Sequence, residues 1–159
     1  MKAEEIVKRY DEMKKEIKLL DFQLSRFEGI SEKDIIDTMT FSHPDGEKVM
    51  ASTSTDKIFN IGTKYKKITE RKNDEWYEFL IRRRINLSEE TEFFEQSIEM
   101  MEHHDIAKAM FIEKLSWAEM ESLFSLSHAA IGKYRKQALK ELEDIYDTRD
   151  KQLESYLLN

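Results

Sequence analysis

Four basic side chains are the residues in this sequence best placed to do chemistry, because they lie close together in a stretch without acids. Between Ser127 and Lys140 the only Lys, Arg, Asp or Glu residues are Lys133, Arg135, Lys136 and Lys140. The preceding stretch, by contrast, carries Glu119 and Glu121. Lysine and arginine in such an arrangement are suited to binding DNA phosphates and guanine edges.

Two serines divide the region that must position these cations into two predicted helices. Ser116 and Glu119 have the spacing of a capping box, so the first helix is predicted to begin at Trp117. Ser127 is a second N-cap candidate, and a longer helix is predicted to follow it. The turn around Ser125 is too short for antiparallel packing. This pattern is typical of a helix-turn-helix, whose second helix enters the DNA major groove.

The second predicted helix has an apolar stripe and a polar face. Its inward stripe is Ile131, Tyr134, Ala138 and Leu142. The predicted DNA-binding residues lie at its N-terminal end and on its polar side: Ser127, His128, Ala130, Gly132, Lys133, Arg135, Lys136 and Lys140. Glycine costs a helix about 1 kcal/mol relative to alanine. We interpret Gly132 as allowing close approach of DNA, and the alternative is an exposed glycine that is merely tolerated.

Residues 115–142 resemble the promoter-binding helix-turn-helix at the C-terminus of bacterial sigma factors. The match has no gaps, and its positions are Leu115, Ser116, Trp117, Glu119, Met120, Phe124, Leu126, Ser127, Ile131, Ala138, Leu139 and Leu142. Glu121 replaces the usual alanine. Ser125 replaces the usual turn glycine, which predicts a strained or altered turn. The wider chain is similar to phage sigma-like regulators of the ArpU/RinA late-gene activator type.

The resemblance implies a sequence-specific regulator that binds double-stranded DNA, encoded by a phage or prophage, and acts with host RNA polymerase at late genes. A DNA-packaging protein of the small-terminase type is the alternative, with the motif binding DNA and the helical arm building an oligomer. Small terminases usually place the helix-turn-helix first, so the reversed order here favours the regulator. A third interpretation treats residues 115–142 as plain packing helices.

The first 28 residues carry an unbroken heptad pattern. Apolar residues alternate at spacings of four and three, as in a coiled coil: Ile6, Tyr10, Met13, Ile17, Leu20, Leu24 and Phe27. One interpretation is a parallel homodimer. We favour packing against a later helix of the same chain, because Leu19 and Phe22 widen the apolar face. We expect these heptads to be needed for full function but not for folding of the motif.

The rest of the chain is predicted to be helical, apart from a turn-rich loop at about residues 30–55. A second long helix is predicted from Asp56 to about Ile85, followed by a break at Asn86–Ser88. The next helix has an acidic face, on which Phe93 or Phe94 is a candidate contact for a basic partner such as RNA polymerase. The interpretation we favour is that the acids merely keep this helix off the DNA.

The fold class predicted from these patterns is all-α, with a long-helix hairpin that resembles a coiled coil before a helical helix-turn-helix domain. The hairpin is assigned to residues 1–87 and the helix-turn-helix domain to residues 88–145. Residues 146–159 are assigned to an acidic helical tail.

The composition excludes several classes of function. Charged residues make up 37% of the chain, with four Gly and one Pro, which favours long helices. There is no Cys, no glycine loop for phosphate and no nucleophile motif, so we expect no enzyme, cofactor or metal. A net charge of -7 argues against indiscriminate nucleic-acid binding but leaves room for a local basic face. No apolar run approaches the roughly 20 residues of a membrane span, so we expect a cytoplasmic protein of a bacterial host without membrane contact.

Overall fold

The computed structural model of the chain describes residues 1–27, 29 and 55–159, with side chains described for residues 1–27, 29 and 66–159. These residues form five α-helices and no strand, so the predicted all-α class is confirmed. The helices are α1 (Ala3–Ser25), α2 (Thr55–Glu99), α3 (His104–Phe111), α4 (Trp117–Phe124) and α5 (His128–Leu158). The loop predicted at about residues 30–55 lies almost entirely outside the described residues. No helix in the described part of the chain is long and apolar enough to cross a membrane.

The second long helix does not break at Asn86–Ser88, so that prediction is wrong. α2 continues through these residues to Glu99. Asn and Ser disfavour a helix by only a few tenths of a kcal/mol each, whereas burying a leucine side chain gains roughly 1.5–3 kcal/mol. Leu87 is buried in the middle of the predicted break, and its burial outweighs the weak preference of its neighbours for a turn.

The chain forms two compact units. One consists of Met1–Lys18 and Asn86–Asn159, and the other of Leu19–Ile85. The predicted domain boundaries after residues 87 and 145 stay a prediction, because close packing does not show which segments fold independently.

The core of the first unit is built from both ends of the chain. Tyr10 of α1 stacks on Phe94 of α2, with ring centroids 4.2 Å apart. The Tyr10 hydroxyl donates a hydrogen bond to Glu95 Oε1 at 2.7 Å. Leu142 of α5 belongs to the same buried cluster. The first turns of the heptad pattern are therefore buried within the chain itself. Phe94 is fully buried, so its suggested role as an exposed contact for a partner is wrong.

The second unit joins the end of α1 to the middle of α2. Leu20 and Leu80 are buried. Phe27 packs edge-on against Tyr77, with ring centroids 5.1 Å apart. Arg84 Nε donates to Asp21 Oδ1 at 2.6 Å, and this contact raises the pKa of the guanidinium.

Candidate nucleic-acid interface

The two predicted N-caps position α4 and α5. Ser116 Oγ accepts a hydrogen bond from the Glu119 amide, and Ser127 Oγ accepts one from the Ala130 amide, both at 3.2 Å. The residue that ends α4 is Ser125, which has left-handed backbone angles of φ 52° and ψ 43°. A side chain in this conformation costs roughly 1–2 kcal/mol, so the strained turn expected from the missing glycine is present.

Buried side chains determine which face of α5 is turned outward. Ile131 and Leu142 are fully buried, and Ala138 is nearly so. Tyr134 is half-buried, with its ring edge-on to His103 and the centroids 4.7 Å apart. The predicted inward stripe therefore faces the core, and the opposite side of α5 faces away from it.

Three lysines form a continuous exposed surface on α5, which we call the lysine face: Lys133, Lys136 and Lys140. Their spacing of three and four places them on one side of the helix, over about 10 Å at 1.5 Å per residue. None of the three forms an ion pair with a described residue, although pairs are frequent elsewhere in those residues. Contact with an external anion would therefore break no ion pair with a described residue.

Arg135 is not part of the lysine face. It follows Lys133 by two residues, which is about 200° around a helix of 3.6 residues per turn. Its guanidinium Nη1 lies 3.6 Å from Glu4 Oε1 of α1, and the side chain is half-buried. The sequence grouped Arg135 with the lysines because all four cations share one acid-free stretch, but the fold turns it toward an acid far away in the chain.

Trp117 covers the start of α5 beside the lysine face. Its ring centroid lies 4.4 Å from that of His128, whose Nδ1 is 3.3 Å from Glu121 Oε1. A Cβ added at Gly132 would lie 3.7 Å from the Trp117 ring, which is an ordinary contact. Gly132 is half-buried, so close approach of DNA and a merely tolerated glycine both stay predictions. A methyl group fits there.

The eight predicted site residues thus divide by position. Three lysines share the exposed face, while Arg135 points toward α1 and Gly132 lies beside Trp117. Ser127 Oγ is used for capping, His128 is exposed and Ala130 is half-buried. The sequence did not single out Trp117, the aromatic residue at the first position of α4, which lies beside this surface.

The chemistry available at this surface is electrostatic and stacking contact. No cluster of three or more His, Cys, Asp or Glu residues that could hold a metal ion occurs in the described part of the chain. Comparisons of the chain with protein-family models, with curated proteins and with solved structures found no match.

Proposed function

We propose that this chain is a sequence-specific regulator of transcription that binds double-stranded DNA. In this proposal α4, the turn at Ser125 and α5 act as a helix-turn-helix, and α1 and α2 form a long-helix hairpin that supports it. The lysine face is the observation that carries the proposal. It presents three cations, none paired with a described residue, in the N-terminal half of a helix with a capped start. Helix-turn-helix proteins contact base edges through the N-terminal residues of their second helix.

The overall acidity of the chain is compatible with this role. Charges in solution are screened over about 8–10 Å at physiological salt, so phosphates would respond mainly to the lysine face. Each phosphate neutralised by a lysine also releases counterions, which favours binding. Acids resume along α5 at Glu141, and their repulsion would limit non-specific binding.

Residues at the start of α5 are proposed to approach base edges. His128 is exposed there, and Ser127 and Ala130 are small enough to allow close approach. Trp117 is proposed to line the same surface through its contact with His128. Arg135 is a candidate contact only if it leaves Glu4, since the two side chains are paired.

The resemblance of residues 115–142 to sigma factors extends this proposal to a biological role. A phage or prophage late-gene activator would use this surface at a promoter and have host RNA polymerase as its partner. In a packaging protein of the small-terminase type, the same surface would hold DNA with little dependence on sequence.

Selection of bound duplexes from a random DNA pool tests the proposed function. A regulator is expected to enrich one defined motif, and addition of RNA polymerase holoenzyme to a promoter carrying that motif should increase transcription. Broad enrichment that depends on oligomer formation would support the packaging role instead. Failure to enrich or bind any duplex at low salt would contradict both roles.

A triple variant locates the binding surface. Lys133→Gln, Lys136→Gln and Lys140→Gln together should weaken binding to the selected duplex and reduce the salt slope by up to about 2.7, at about 0.9 per lost phosphate contact. Lys151→Gln is the matched control, because it removes an exposed lysine from the acidic end of the same helix. Fluorescence anisotropy across salt concentrations gives both quantities. An unchanged affinity and slope in the triple variant would exclude the lysine face as the DNA contact.

A further inference from the structure

The imidazole of His128, the first residue of α5, is contacted by two side chains of α4. The Trp117 ring packs against it, with centroids 4.4 Å apart and planes inclined by 36°. Glu121 Oε1 lies 3.3 Å from His128 Nδ1. Trp117 and Glu121 are four residues apart, so one face of α4 carries both. The ring contact restrains the plane of the imidazole, and the carboxylate restrains which ring nitrogen is turned toward α4.

The carboxylate of Glu121 also favours one position for the imidazole proton. An ionised carboxylate only accepts hydrogen bonds, whereas a neutral imidazole has one nitrogen that donates and one that accepts. At the observed distance the carboxylate repels a lone pair on Nδ1 and attracts a proton there. The neutral ring of His128 is therefore expected to carry its proton on Nδ1, which leaves Nε2 as a hydrogen-bond acceptor.

The acceptor nitrogen of His128 is turned toward the side from which DNA would approach. The two nitrogens of an imidazole point in divergent directions, so Nε2 is turned away from Glu121. The His128 side chain is 76% exposed and that of Glu121 is 39% exposed, so the imidazole stands further into solvent than the carboxylate. Lys136 of the lysine face follows eight residues later, about 80° around the helix. Gly132, which has no side chain, lies between them, so one ligand can contact both His128 and Lys136.

We propose that Glu121 is a positioning residue, which presents His128 Nε2 as a hydrogen-bond acceptor to base edges in the DNA major groove. This inference rests on the proposed function, since it requires the start of α5 to lie in that groove. The hydrogen-bond donors in the major groove are the amino groups of adenine and cytosine, whereas guanine and thymine present acceptors. His128 should therefore select adenine or cytosine on the strand that it contacts, and reject guanine or thymine at that position.

The first test determines which nitrogen of His128 is protonated in the free, full-length chain. Heteronuclear NMR of the imidazole rings gives this result at about pH 8, where an ordinary imidazole is neutral. The spectrum of His128→Ala assigns the signals. The proton should lie on Nδ1 in the wild-type chain and be distributed over both tautomers in Glu121→Ala. A wild-type ring protonated on Nε2, or on both nitrogens, would overturn the proposal.

The second test measures discrimination between bases, with fluorescence anisotropy of full-length variants on duplexes that carry each base in turn. His128→Ala identifies the contacted base pair, because the preference there should be lost. Glu121→Ala should lower discrimination at that same base pair by about fivefold or more, as for a single mismatch, and leave the other positions unchanged. Added to His128→Ala, it should have no further effect on discrimination, since the two residues act as one unit.

Glu119→Ala is the matched control, because it removes the same charge from an exposed residue of the same helix. Removing either glutamate should strengthen binding to every duplex by a similar factor, since less negative charge faces the phosphates. Only Glu121→Ala should change the base preference. Circular dichroism verifies that each variant keeps its helical content.

Three results on DNA would overturn the positioning role alone. They are a wild-type base preference in Glu121→Ala, an equal loss of affinity for all duplexes in that variant, and a contacted base that is guanine or thymine. A preference that His128→Ala leaves intact at every position would overturn it as well. A wild-type chain that binds no duplex would contradict the proposed function and this inference together.

Discussion

The two ends of α5 lie on one uninterrupted helix but differ in charge and in packing. In the N-terminal half, an exposed row of lysines stands opposite a buried stripe that includes Ile131. In the C-terminal half, acids outnumber bases, and the apolar residues beyond Arg149 face solvent. Leu142 is fully buried, whereas Leu153 is 56% exposed. One helix therefore presents a basic surface near its N-terminus and an exposed apolar surface at its C-terminus.

The difference in burial between the two halves arises from the neighbouring helices, because the periodic apolar pattern itself continues along α5. Near Leu142, side chains of α1, α2 and α3 complete a shared core. Arg149 marks the edge of this core, with its guanidinium 4.2 Å from the Phe93 ring centre and in contact with Glu90. Beyond Arg149 the apolar residues of α5 are exposed. An apolar stripe thus shows which face of a helix is suited to burial but does not show where its partner ends.

The largest expected effect in this comparison is on stability. Leu142→Ala should lower the free energy of unfolding by about 2–5 kcal/mol, because it removes a buried side chain and leaves a cavity. Leu153→Ala should change it by less than about 0.5 kcal/mol in dilute solution. Urea denaturation followed by circular dichroism measures both. Equal losses from the two substitutions would show that the C-terminal half of α5 is packed as tightly as the middle.

The next prediction concerns the core that α5 shares with α1. Burial and the hydrogen bond to Glu95 raise the pKa of the Tyr10 hydroxyl above its usual value of about 10. The unfolded chain therefore loses this proton at lower pH than the folded chain does. The stabilisation is complete below about pH 10 and is lost as pH rises toward the folded pKa.

Tyr10→Phe removes both the hydrogen bond and this pH dependence. At pH 7 it should cost about 1.5–3 kcal/mol, as expected for a hydrogen bond to a charged group, while Lys14 still pairs with Glu95. Above pH 10 the wild-type chain should lose stability faster than the variant. The variant should still lose some stability as pH rises, because burial also raises the pKa of Tyr146. Urea titrations from pH 7 to about pH 11 provide the comparison, and parallel curves would show that Tyr10 keeps an ordinary pKa.

Local features of the sequence were sufficient to predict the helix starts in the candidate site. The caps at Ser116 and Ser127 depend on residues three positions apart, and the buried stripe of α5 depends on helical periodicity. The strain at Ser125 was expected because one residue occupies a position that favours glycine. Each of these features depends on residues only a few positions apart, so it can be predicted from a single sequence.

Contacts between distant segments could not be predicted in the same way. The pairing of Arg135 with Glu4 and the packing of Tyr10 on Phe94 depend on how α1 returns to the C-terminal helices. The expectation that the motif folds without the N-terminal heptads stays a prediction, and Ile6 and Tyr10 belong to the core that the two segments share. The false break at Asn86–Ser88 has the same origin, since burial of Leu87 overrode the local preferences.

The smallest expected effect is at the turn that leads into the N-terminal half of α5. Ser125→Gly should raise the free energy of unfolding by up to about 1 kcal/mol, because glycine adopts the left-handed conformation without the clash of a Cβ atom. Part of this gain is offset by the greater freedom of glycine in the unfolded chain. Ser122→Gly is the control, since Ser122 lies in the regular part of α4 and is exposed. There the same substitution should destabilise by several tenths of a kcal/mol. Urea denaturation of both variants gives the sign of each change, and a loss of stability in both would show that the turn at Ser125 carries no strain.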